Sequence, residues 1–310
     1  MNTQSNAMPD FPRDPHASAP LAMSETRPLY WSIQRELWEN RSIYIAPLIA
    51  GGVYLLGYTI SLLWLPRMMR EWAELDPMQQ RMKLAEPYAH AGMLVALVAF
   101  IVGIFYSLDA LHGERRDRSI LFWKSLPVSD LMAVLSKAAV PIVILPLLAF
   151  AITVLTQWMM LLISSAVLLG SGQNEAILWS RVGIFHRAPM LLFHFLCIHG
   201  LWQSPIYAWL LLVSGWARRI PILWATLPPL TIGIVEKVAF NTTYFGSLIG
   251  NRFTGGSEGA AIMEHGRAMD TMMLIEPLHF LLNPGLWVGL AVTAAFLAAA
   301  VHLRRYRGPI

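Results

Sequence analysis

The chain has 310 residues, 56% of them hydrophobic and 14% charged, against roughly a quarter charged in an ordinary soluble domain. With a mean hydropathy of +0.51, this excludes a disordered chain and argues against a soluble globule, so an integral membrane protein is predicted. The single cysteine, Cys197, excludes a disulfide framework and a multi-cysteine metal centre, and the formal charge of +4 has to be read from where the basic residues lie.

Residues 1–23 hold Pro, Ser, Asn and Asp but no apolar core of the kind a cleavable signal needs. They are expected to form a disordered cytoplasmic tail before a single transmembrane domain, 24–310. Thr26-Arg27-Pro28 reads as a helix start. Over 27–41, Leu29, Tyr30, Ile33, Leu37 and Trp38 fill one helical arc, with Ser32, Arg35, Glu36 and Glu39 opposite, which predicts an amphipathic helix lying in the membrane interface. A soluble helix resting on a partner is the alternative. Six apolar stretches follow, at about 43–65, 87–108, 138–169, 188–214, 220–240 and 284–303, each long enough for a spanning helix. Pro141 and Pro146 in the third and Pro228-Pro229 in the fifth predict kinks. With the N-terminus inside, fourteen of the 23 basic residues fall on the inner side and nine on the outer, so an all-α protein with six spans and both termini in the cytoplasm is expected. The positive charge is then topological, and a nucleic-acid partner is not expected.

The cytoplasmic segment 109–137 carries the most information. It runs from Asp109 through Glu114-Arg115-Arg116-Asp117-Arg118 to an apolar stretch, Ile120-Leu121-Phe122-Trp123, and then Pro127-Val128-Ser129. The charges offer ion pairs to a soluble partner, and Ile120, Phe122, Trp123 and Leu126 offer apolar surface for a groove or the interface. Pro127 should stop one helix and Ser129 cap the next, which leads through Lys137 into the third span. A solvated charged loop obeying the positive-inside rule accounts for the same residues.

This segment resembles the cytoplasmic loop of type-2 ATP-binding-cassette exporter permeases, in which a Glu-Arg pair, a Gly-Thr-Leu-like run, a few apolar residues and Pro-Val-Ser precede a Lys that opens the third span. Glu114, Arg115, Ser119, Ile120, Phe122, Leu126, Pro127, Val128, Ser129 and Lys137 follow that order. Arg118 stands where the family usually has glycine, and Leu121 where it often has an acid. The resemblance implies that Glu114, Arg115, Arg116, Asp117, Ser119, Ile120, Phe122, Trp123 and Pro127 belong to a coupling helix that docks on a separate ATPase. It also implies two permeases with two ATPases, with ATP and Mg on the partner and no cofactor in this chain. No Gly-x-x-x-x-Gly-Lys-Ser/Thr phosphate loop occurs in the sequence, so ATP hydrolysis would belong to that partner.

The outer segment 241–283 is expected to be either a loop or, as the resemblance implies, short helices that re-enter the outer leaflet. Its Gly255-Gly256-Ser257-Glu258-Gly259 matches a hydrolase nucleophile motif, but no apolar strand precedes it, and a glycine turn is expected. Glu264, His265, Asp270, Glu276 and His279 have no metal-site spacing. Glu236 and Lys237 are placed to pair at the far end of the fifth span. His194, Cys197, His199 and Gln203 in the fourth span, with Thr153, Thr156 and Gln157 in the third, are polar groups at membrane depth. Bonding between helices is the plain reading, and His199, Gln203, Thr156 and Gln157 are the candidates for a substrate path. The expectation is therefore the permease subunit of an ATP-driven exporter in the inner membrane, not an enzyme by itself. The alternatives are a membrane anchor or assembly factor, a membrane-embedded enzyme, and, more remotely, a secondary transporter, which the absence of a mid-span acid disfavours.

Overall fold

The computed structural model describes residues 26–72, 74–125, 128–172, 178–179, 184–255 and 277–308. The expected tail, Pro127, most of the Gly-x-Ser-x-Gly run, and Glu264, His265, Asp270 and Glu276 lie outside them, as does the side chain of His279.

The described residues are helical, with no strand. Helix α1 spans Thr26–Glu39 and α2 spans Ser42–Ser61; a 3₁₀ turn, Leu62–Trp64, continues into α3, Leu65–Trp72. Helix α4, Pro77–Asp109, has Pro77 in its first turn, and the Asp76 carboxylate accepts the Met78 N–H, a cap that fixes its start. At 33 residues α4 is about 50 Å long, longer than the hydrocarbon core, so its polar first turns extend beyond its apolar stretch. Helices α5, His112–Arg116, and α6, Ser119–Ser125, build the loop. The Ser129 Oγ caps α7, Asp130–Ala139, by accepting the Met132 N–H, and a π turn at Val140–Ile144 containing Pro141 leads into α8, Leu145–Gly170.

The fourth span is broken. Helix α9, Ile184–His194, runs into a π segment, Phe195–Trp202, and α10, Ser204–Trp216, leaves at 43° to it. Pro205 in the first turn of α10 has no N–H for the preceding turn, which accounts for the break at Gln203. Then come α11, Pro221–Phe240; α12, Tyr244–Thr254; α13, Pro277–Leu282; and α14, Pro284–Tyr306. Five helical segments are long and apolar enough to cross a membrane, and the bent fourth makes six.

Helices α2, α4 and α8 pack together, and α10 lies against α14 and α4. One apolar cluster joins Leu62, Leu65 and Met69 to Tyr88, Met160 and Leu168; another joins Ile43, Val95 and Tyr106 to Val140, Leu145 and Phe195. The two π segments touch where Gly200 meets Ile142, so closely that a Cβ on Gly200 would lie 2.5 Å from the Ile142 carbonyl oxygen. Helix α11 stands apart, with only Ala225 buried.

Helix α12 turns back into the bundle. Its start is held by Glu236, whose carboxylate accepts the Tyr244 and Phe245 N–H groups at 2.6 and 2.9 Å and the Thr242 hydroxyl at 2.9 Å. Glu236 is therefore a cap and not the partner of Lys237. At the other end, Trp202 Nε1 donates to the Asn251 carbonyl and Gln203 Nε2 to the Phe253 carbonyl, while the Phe253 ring meets Phe100 at 5.7 Å. Gly255 follows with φ +83°, the left-handed helix end that glycine adopts freely. Phe100 lies nine residues, about 14 Å, from the end of α4. The described part of 241–283 thus packs at the start of α10 and on α4, and its Asn251 and Phe253 carbonyls find donors in Trp202 and Gln203.

Candidate functional site: a buried ion network beneath the loop

Helix α1 turns part of its polar arc toward the protein. Glu36 is 2% exposed, whereas Tyr30, Trp31 and Trp38 are 58–66% exposed. A carboxylate buried as Glu36 is has to be neutralised there.

It is neutralised by a network in which Glu36, Glu114 and Asp130 meet Arg35, Lys137 and Arg304, with exposed Glu39 also 3.4 Å from Arg35. Lys137 Nζ lies 2.8 Å from Glu36 Oε1 and 3.1 Å from Glu114 Oε1. Arg304 reaches Glu114 Oε2 at 2.7 Å and Asp130 Oδ1 at 3.2 Å. Arg35 bridges Glu36 at 2.9 Å and Glu114 at 3.3 Å, and its guanidinium lies 3.6 Å above the Trp123 ring. The Tyr106 hydroxyl donates to Glu36 Oε2 at 2.9 Å. Burial pushes the Glu36 pKa up, but the Lys137 charge and hydrogen bond, with Arg35 and Tyr106, outweigh it and hold the group below its ordinary value. The network joins α1, α4, α5, α7 and α14 at one end of the bundle.

The loop above it is a folded part of the bundle. Glu114 and Arg115 are buried, so they do not offer ion pairs to an outside partner; Glu114 is consumed by the network. Arg115 Nη1 donates to the Gly215 carbonyl at 2.7 Å and Nε to the Gly308 carbonyl at 3.2 Å, closing the ends of α10 and α14. The N–H groups of Leu111 and His112 both donate to Ser214 Oγ. Ser119 Oγ donates to the Glu114 carbonyl, Ile120 is 2% exposed, and half-buried Trp123 stacks under Arg35. The outward face consists of Arg116, paired with Asp117 at 3.1 Å, together with Asp117, Leu121 and Phe122. Helices α5 and α6 meet at Arg118, whose φ of +59° is left-handed, a conformation that glycine takes at no cost and other residues at about 1–2 kcal/mol. This is the position where the resembled loops carry glycine.

Among the substrate-path candidates, Gln203 interacts with His199, while Thr156 and Gln157 contact α2 and α4. Thr156 bonds back to the Ile152 carbonyl and packs on Gly51 of α2, and Gln157 Nε2 donates to the Tyr88 carbonyl of α4. Gln203 serves as a cap for α12 and accepts from the Tyr207 hydroxyl at 3.4 Å. His199 lines a cavity of about 10 Å³ bounded also by Phe100, Pro146, Phe195 and Tyr207, room for one water at most. His194 stacks 5.4 Å from His199, and neither Nδ1 has a hydrogen-bond partner. No group of three metal-ligating side chains occurs among the described residues.

Glu36, Tyr106, Asp130 and Arg304 are absent from the sequence-derived site. Their signal is positional: each lies within a few residues of the same end of a predicted helix or span, and Lys137 is the lysine of the loop motif. No known protein family, curated protein or solved structure matches the chain.

Proposed function

We propose that the chain is the membrane-spanning permease subunit of an ATP-driven exporter of the type-2 ATP-binding-cassette class, in the inner membrane, with both termini in the cytoplasm. Two copies work with two copies of a separate ATPase that holds ATP and Mg. The observation that carries this reading is the anchorage of the loop: α5 and α6 expose Arg116, Asp117, Leu121 and Phe122 while ion pairs and carbonyl contacts below them grip α1, α7, α10 and α14. A push on the exposed face reaches the spans through these contacts, and the buried charges resist separation. A solvated loop would need neither the buried ions nor their partners of opposite charge.

The test is made on the exposed face, because replacing Glu114 or Arg115 also damages the fold. Wild type and a Leu121→Asp/Phe122→Asp variant are tagged and purified in mild detergent. The expected result is an ATP-hydrolysing subunit accompanying the wild type and lost from the variant, with both melting at the same temperature. Association that survives the double change removes the docking role, and a wild-type chain that arrives alone favours an anchor or an enzyme.

A further inference from the structure

A second feature at the same end of the bundle is distinct from the ion network. Arg115, Arg218, Arg219 and Arg307 gather where α10 ends, α11 begins and α14 ends. Arg115, 5% exposed, donates to the carbonyls of Gly215, Ala217 and Gly308. Arg307 donates to the Trp216 carbonyl at 2.8 Å, and the charges of Arg307 and Arg218 act on Arg115. Arg218 and Arg219 are exposed. Among the described residues, no carboxylate lies within ion-pair distance of any of the four, whereas the charges of the neighbouring network are all paired. The cluster carries four positive charges and only neutral carbonyl partners.

The local backbone adds to this excess. Helix α11 opens directly after Arg218-Arg219, with no acidic residue in its first turn and no capping side chain. Basic residues at a helix start oppose its dipole, and an anion there relieves both. The surroundings are apolar on the membrane side: Trp216 and Trp224 meet edge to face at 4.9 Å and are 40% and 46% exposed, and Ile220 and Ile222 are exposed beside them. Exposed tryptophans beside arginines are the signature of headgroup depth, with the bilayer below them.

We propose that this cluster binds the phosphate of an anionic phospholipid of the surrounding leaflet, the acyl chains lying along α11 against Ile222 and Trp224. A phosphodiester supplies the missing negative charge, and the apolar flank supplies the reason for a lipid in place of a free anion. The lipid would tether α11, otherwise little packed, to the ends of α10 and α14. The inference does not rest on the exporter reading.

The test is native mass spectrometry of the detergent-purified full chain, titrated with phosphatidylglycerol, with phosphatidylcholine, and with phosphatidylglycerol plus millimolar inorganic phosphate. Wild type is expected to retain phosphatidylglycerol in preference to phosphatidylcholine, undisturbed by inorganic phosphate. Arg218→Gln/Arg219→Gln, which alters two exposed side chains, is expected to lose about thirtyfold in affinity, and Arg307→Gln to lose affinity in the same direction. Equal retention of the two lipids, or unchanged binding by the double variant, overturns the proposal. Displacement by inorganic phosphate overturns the lipid in favour of a soluble anion.

Discussion

Lys137 holds two buried carboxylates, Glu36 and Glu114, at 2.8 and 3.1 Å. An intact buried ion network adds little net stability, because desolvation offsets attraction; removing one member leaves a charge without compensation, at about 3–5 kcal/mol. Lys137→Met is therefore expected to lower stability by about that much, measured as the shift in thermal or denaturant midpoint in detergent. Adding Glu36→Gln to Lys137→Met should restore part of it, since the pair is coupled; strictly additive losses would mean that the two groups do not interact. Glu36 also predicts a response to acid. Its pKa is lowered in the fold from an ordinary value of 4.5, so its contribution is complete above that value and is lost as pH falls below it toward the folded value. A melting profile against pH should drop in that window for wild type and drop less for Glu36→Gln. The helical wheel of α1 separates an apolar arc, in which Tyr30 and Trp38 are exposed, from a polar arc, in which Glu36 is buried and Glu39 exposed, because periodicity reports that two faces differ and not which side chain meets the protein. Glu114 is legible as special from its motif, whereas its inward direction depends on Arg304, 190 residues away.

At the scale of elements, the spans are readable because each needs a long apolar run, and the predicted stretches coincide with α2, α4, α8, α11 and α14 and with the bent fourth. What hydropathy misses is helix that continues into polar sequence. Helix α4 begins ten residues before its apolar part, and only Asp76-Pro77, a cap followed by a first-turn proline, signals it. The break in the fourth span was likewise signalled only by Ser204-Pro205, while the long-range carbonyl contacts that hold α12 have no local signature. The contact between the two π segments makes a specific demand on Gly200. Gly200→Ala places a Cβ 2.5 Å from the Ile142 oxygen, main chain that yields only by moving the helix, so a loss of about 1–3 kcal/mol is expected. Gly52→Ala, with open space around it, serves as the control for the melting comparison. Equal behaviour of the two variants would show that the π segments are not tightly apposed.

At the scale of the whole molecule, a coupling role requires that the loop and the spans beneath it form one body. Lys124 on α6 donates to the Arg305 carbonyl, and Arg304, one residue earlier on α14, binds Glu114 on α5. The loop is thus held to the last span from both of its helices. The exposed positions 122 and 306 report on this directly, since Cys197, the only native cysteine, is buried. Spin labels at Phe122→Cys and Tyr306→Cys in the protein in nanodiscs should give one narrow distance distribution that broadens when Lys137→Met is added. A broad distribution in the otherwise native protein, or a narrow one indifferent to Lys137, would contradict the claim that the buried charges clamp the loop to the spans.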